Sequence, residues 1–255
     1  MSRTTAAAEP NSSASEGDEF PHMHQLFEAI AKWIGENLST PAFQEFTLKK
    51  IGMILGDEDT KVLPDFVLPH EIAREHAFVM AYLQLFIAQK TLSQCEYYFR
   101  RFPFYGLPVS RDEHLQNVCE LYFSMFYIIK ERIKDTLNRL KELCPDSRTQ
   151  ITHMIGEYVR LFEKTFANEL HQRGRIHHNE GYGDMGLTRI FLTEVLSDSG
   201  KDELLRNAFK SRHASAYKKA SKEWTLRARD RARVMRGFLD IVAGWILTNV
   251  AFLKS

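Results

Sequence analysis

Apolar residues recur along this chain at steps of three and four, the spacing of a helix face. Leu26, Phe27, Ile30, Trp33 and Ile34 mark a first amphipathic helix, which Gly35 and Ser39-Thr40-Pro41 close. Phe43, Phe46, Leu48, Ile51 and Leu55 continue in helical spacing until Gly56-Asp57-Glu58-Asp59. Pro64 and Pro69 frame a connector, and a long helix is expected from about His70 to Arg101. Pro103, Gly106 and Pro108 read as a loop. Ser110 with Glu113 three residues on is a capping box, opening a helix that runs to about Cys144. Asp146 or Ser147 caps a further helix, whose stripe is Ile155, Val159, Phe162, Phe166 and Leu170. Glycines 174, 181, 183 and 186 interrupt that regularity. A short helix near Leu187 to Leu196 precedes a closing helix from about Lys201, with Gly237 as a candidate break.

No alternating β-branched run is bounded by turns, so strands are not expected. The pattern predicts an all-α, antiparallel helical bundle with long core helices and extra N-terminal helices. The expected organisation is a disordered tail over residues 1–20, N-terminal helices over 21–68 covering one end, and a bundle over 69–255.

Composition changes this picture little. Among 255 residues, 44% are hydrophobic and 26% charged, as in an ordinary globular protein. Three cysteines with no Cys-x-x-Cys spacing point to core thiols in a reducing, cytoplasmic setting. The N-terminus lacks the apolar run of a secretory signal. Gly237 to Leu253 is the one apolar stretch that invites a membrane reading. Asp240 lies in the middle of it, and a charge in lipid costs about 2.5–3.5 kcal/mol, so a buried terminal helix is expected instead.

Charge changes it more. Lys+Arg total 34 against 33 Asp+Glu, for a net of +1. Residues 201–255 alone hold 13 Lys+Arg and 5 Asp+Glu, so a basic end follows an acidic body. Between Lys210 and Arg236 only Glu223 and Asp230 oppose ten cations, with Tyr217 and Trp224 interleaved. Lys218, Lys219, Lys222 and Arg227 are the candidate nucleic-acid contacts, since a basic helix with aromatics can follow a phosphate backbone. The competing expectation is a solvated face that balances the acidic body. Arg227, Arg229, Arg231 and Arg233 cannot share one face, because alternate helical residues rotate by about 200°.

Familiar catalytic signatures are missing. There is no pair of Glu-x-x-His motifs for a di-iron site, no HExxH, no Walker-type phosphate loop, no GxSxG and no zinc-type Cys/His array. Neither a metal nor a cofactor is expected. One constellation remains: Arg173, Arg175, His177 and His178 follow the striped helix directly. Polar residues there can simply suit the helix dipole. They can also do phosphodiester chemistry, a guanidinium clamping phosphate oxygens and an imidazole moving the proton.

Arg173-Gly174-Arg175-Ile176-His177-His178 has the form Arg-x4-His, and Asn179-Glu180-Gly181-Tyr182 follows it. This segment resembles the motif of the HEPN (higher eukaryotes and prokaryotes nucleotide-binding) superfamily of helical bundles. The resemblance implies a metal-independent endoribonuclease that acts as a homodimer in toxin or phage-defence systems, with an antitoxin or other protein as a further partner. Arg173 would clamp the scissile phosphate and His178 would handle the proton, with His177 as second choice. Arg175, Asn179 and Glu113 would support them. Gly174 stands where the family carries Asn or another polar residue. That departure opens a second expectation, a non-catalytic module that binds RNA or protein or dimerises.

Overall fold

The computed structural model describes residues 19–55, 68–177, 184–199, 202–250 and 253, apart from the side chains of 53–55 and 177. Among them are eight α-helices and no strand. These are α1 (Pro21–Leu38), α2 (Pro41–Leu55), α3 (His70–Arg100), α4 (Arg111–Leu143), α5 (Arg148–Thr165), α6 (Ala167–His177), α7 (Met185–Ser199) and α8 (Glu203–Asn249). A single 3-10 turn, Pro145–Ser147, joins α4 to α5.

The helix starts follow local chemistry. Ser110 Oγ accepts from the Glu113 amide at 3.2 Å, so the capping box forms at α4. Asp202 accepts from the Leu204 amide at the head of α8. α1 has no cap of its own. Instead Asp240 of α8 accepts from the Met23 amide at 2.8 Å and lies 2.9 Å from His22 Nδ1.

Cross-helix contacts fix the packing. Arg74 reaches the Glu142 carbonyl at one end of α3–α4, and Phe99 packs on Tyr122 at the other, so the pair is antiparallel. α8 runs antiparallel to α3, through Ser221 to Phe99 and Arg229 to Glu96. It is also antiparallel to α5, through Phe162–Phe238 and Tyr158–Trp245. The core centres on Phe99, Tyr122, Phe123, Phe126, Phe162 and Phe166, all fully buried. Trp224 stacks on Phe99 with ring centroids 5.2 Å apart.

Several details differ from the pattern in sequence. Gly237 does not break α8, which runs unbroken for 47 residues. A Cβ there would come within 3.9 Å of Phe20, and one at Gly244 would meet the His22 ring at 3.1 Å. Only the contact at Gly244 is tight enough to require a glycine, and there α1 lies along the groove between α3 and α8, with Met23 against Tyr82, Leu85, Leu239 and Val242, rather than over an end. The striped helix is two helices, interrupted at Phe166, and α6 continues through Gly174 to His177. The expected tail falls outside the described residues except for Glu19 and Phe20. Glu19 pairs with Arg233, and Phe20 sits under Arg236.

No described helix is long and apolar enough to cross a membrane. The apolar residues after Gly237 face the bundle: Phe238, Leu239, Val242, Ala243 and Ile246 are buried. Cys95 and Cys119 are buried free thiols, and burial pushes the Cys95 thiol up to about 12.

Candidate nucleic-acid interface

The basic helix divides into two parts with different fates. Its later arginines turn onto the acidic body. Arg231 grips Glu169 with two hydrogen bonds of 3.0 and 3.1 Å, and Arg227 approaches the same carboxylate at 3.4 Å. Arg229 forks onto Glu96 at 2.6 and 3.1 Å, and Arg233 reaches Glu19. The Arg229 guanidinium holds the Glu96 carboxyl below the usual carboxylate range. Three acidic residues thus take four arginines on two faces of α8, Arg227 and Arg231 turning to Glu169, and Arg229 and Arg233 to Glu96 and Glu19. Arg227 also lies 4.8 Å from the Trp224 ring centroid, so it is an internal contact and not the outward phosphate contact expected of it.

The earlier part stays outward. Lys218, Lys219 and Lys222 are exposed. Lys218 and Lys222, one turn apart, line a cleft of about 400 Å³ with Arg100, Tyr217, Ser221, Thr225 and Leu226. Neither lysine is ion-paired with a carboxylate among the described residues. Lys219 points elsewhere. It lies 3.9 Å from Glu223 and lines a second cleft with Asp184 and Arg189.

Arg100 was not legible as part of this site, because it is the last residue of a helix over a hundred positions away. Its position is fixed by side chains that satisfy the orphan carbonyls of the α3 end. Ser221 Oγ donates to the Phe99 carbonyl at 2.6 Å. His114 Nε2 lies 3.0 Å from both the Tyr98 and the Arg101 carbonyls, so that nitrogen carries the proton. The loop beyond folds onto His114 through Phe102 and Phe104, and turns at Gly106 with φ of 76°.

The Arg-x4-His segment is placed only in part. Arg173 is half-buried on α6, its guanidinium carbon 4.0 Å from the Tyr127 ring centroid. Lys130 approaches the same ring at 5.4 Å and pairs with Glu163. Arg175 is exposed. His178 and Asn179, and the His177 side chain, lie outside the described residues. Glu113 does not support Arg173: it is exposed in the first turn of α4, 14 residues before Tyr127, or about 21 Å along the helix.

Two sequence spacings resolve into structural contacts. Glu19 and His22 form a Glu-x-x-His spacing, but they engage Arg233 and Asp240. Gly181, Gly183 and Gly186 form a Gly-x-Gly-x-x-Gly spacing, of which only Gly186, in the first turn of α7, lies among the described residues. There the Asp184 carboxylate accepts from the Gly186 and Leu187 amides at 2.6 and 3.3 Å, so the helix start already holds an anion. A Cβ at Gly186 would meet that carboxylate at 2.8 Å, so a larger residue there would have to shift the cap. No group of three or more His, Cys, Asp or Glu able to hold a metal comes together among the described residues. No protein-family model, no curated protein and no solved structure matches this chain.

Proposed function

We propose that this protein is a helical RNA-binding module that holds the phosphate backbone through the outward part of α8. The observation that carries this reading is the cleft in which Lys218 and Lys222 face Arg100, with no carboxylate among the described residues paired to either lysine. Three cations around one concave surface attract a polyanion, and the acidic body confines it to that strip. Arg227, Arg229, Arg231 and Arg233 take no part, since each is already engaged by a carboxylate of the acidic body. The test is RNA binding as a function of salt. Affinity should fall steeply with salt, and Lys218→Glu with Lys222→Glu should abolish it while helical content is unchanged. Binding that ignores this charge reversal would sink the proposal.

A second reading is a metal-independent endoribonuclease of the HEPN type, supported by Arg173. Its guanidinium lies over the Tyr127 ring, which Lys130 also approaches, on the helix leading into the segment that carries His178. In this reading Arg173 offsets charge on the scissile phosphate, and His178 takes the proton from the ribose 2′-hydroxyl. Two copies would pair to complete the site, and an antitoxin-like protein would restrain it. Cleavage of single-stranded RNA in the presence of chelator, lost in Arg173→Ala and in His178→Ala, is the expected result. Cleavage that persists in both variants eliminates this site.

A further inference from the structure

The α3–α8 cleft continues into an aromatic surface. Tyr217, which lines the cleft, packs edge-on against Phe102 with centroids 6.3 Å apart. Phe102 in turn packs against Tyr105 at 5.4 Å. Arg111 lies over both Tyr217 and Phe102, at 5.1 and 5.9 Å. The outermost ring, Tyr105, is 75% exposed, and Tyr97 and Tyr98 beside Arg100 are 53% and 42% exposed. The cleft is thus bordered by aromatic faces that a base can reach.

Hydrogen bonds tie the platform to the helices around it. His114 holds the Tyr98 and Arg101 carbonyls, Ser221 holds the Phe99 carbonyl, and the Leu107 amide closes the turn onto Phe104.

We infer that this surface selects single-stranded over duplex RNA, with phosphates on Arg100, Lys218 and Lys222 and an unpaired base on the ring of Tyr105. A base can meet an aromatic face only when it is not sandwiched within a duplex. Charge alone would take both forms, so the tyrosine supplies the discrimination. The inference rests on the proposed phosphate-binding role of the cleft.

The experiment measures fluorescence anisotropy of a labelled uridine oligonucleotide and of an RNA duplex of equal length. The proteins are wild type, Tyr105→Ala, Tyr105→Trp, and the Lys218→Glu/Lys222→Glu pair. Wild type should prefer the single strand. Tyr105→Ala should weaken single-strand binding by about fivefold or more, leave duplex binding unchanged, and be rescued by Tyr105→Trp. Equal affinity for both nucleic acids, or no effect of Tyr105→Ala, overturns the stacking role, while the RNA-binding reading survives if charge reversal still abolishes binding. If charge reversal has no effect, both fall. Tyr105 is exposed on a loop, so its substitution leaves the core untouched.

Discussion

Glu169 and Arg231 are joined side by side. Arg231 Nε donates to one carboxylate oxygen at 3.0 Å and Nη2 to the other at 3.1 Å. The carboxylate is 1% exposed and the guanidinium 32%, so one partner is buried and the other reaches water. Taking a carboxylate out of water is costly unless its oxygens are satisfied, and Arg231 and Arg227 satisfy them. Glu169→Ala should therefore destabilise the fold by roughly 3 kcal/mol, a fall in Tm of about 6–12 °C. Replacing Glu169, Arg227 and Arg231 together by apolar residues should recover much of the loss. Thermal melts of the single and triple variants check this. A single variant as stable as wild type would show that the pair contributes little.

The same arginines define a second expectation. If α8 contacts RNA only through its outward lysines, each lysine removed should lower the salt slope of log affinity by about 0.7. Arg229→Gln should leave that slope unchanged, because Arg229 is engaged with Glu96. Its effect should appear instead as a loss of stability of at most about 1 kcal/mol, since the guanidinium is exposed. Titrations at several salt concentrations, paired with urea unfolding, separate the two.

Asp240 caps a helix that is not its own. The Met23 amide is one of the orphan donors at the start of α1, and Asp240 is its acceptor. Asp240→Ala should weaken the docking of α1 by about 1 kcal/mol, within the range for a lost helix cap. Hydrogen exchange should rise over residues 21–38 and stay level in α4. Gly244→Val should have a similar regional effect, because its side chain would press on the His22 ring. Uniform loss of protection across the bundle would refute this local docking.

These three relationships show why the fold was legible and much of the site was not. Helical spacing and turn residues mark the long helices within a few positions, because burial of one face repeats every 3.6 residues. The apolar stripe on α5 and α6 was read through Leu170, yet Glu169 is the fully buried neighbour and Leu170 only half-buried. A carboxylate enters the core only when guanidinium groups from another helix meet it, and sequence spacing carries no record of that meeting. The same holds for Arg227, whose inward turn depends on Glu169. It holds too for Arg100, whose place beside Lys218 and Lys222 depends on Ser221 and His114. The helical angle alone splits the arginines of α8 between faces, and they diverge toward Glu169, Glu96 and Glu19.

The contact between α7 and the start of α4 should respond to pH. Glu194 has its carboxyl pushed up to about 7, first by burial, then by a hydrogen bond to Asp112 and by the charges of Asp112 and Asp198. Arg111 opposes this. Asp112 itself accepts a 2.6 Å hydrogen bond from Ser110 Oγ, which holds it in place beside the α4 cap. A carboxyl whose folded pKa lies above its unfolded value of 4.5 binds its proton more tightly in the fold. Its contribution is complete below about pH 4.5 and is lost as pH rises through about 7, beyond which the effect is flat. Glu194→Gln cannot ionise. It should match wild type in acid and exceed it above neutrality by on the order of 1 kcal/mol, a figure kept small because the site is partly solvated. Urea midpoints measured from about pH 4 to pH 8 should diverge with rising pH, the variant being the more stable. Parallel curves for the two proteins would mean that Glu194 binds its proton equally well folded and unfolded and that Asp112 does not share it.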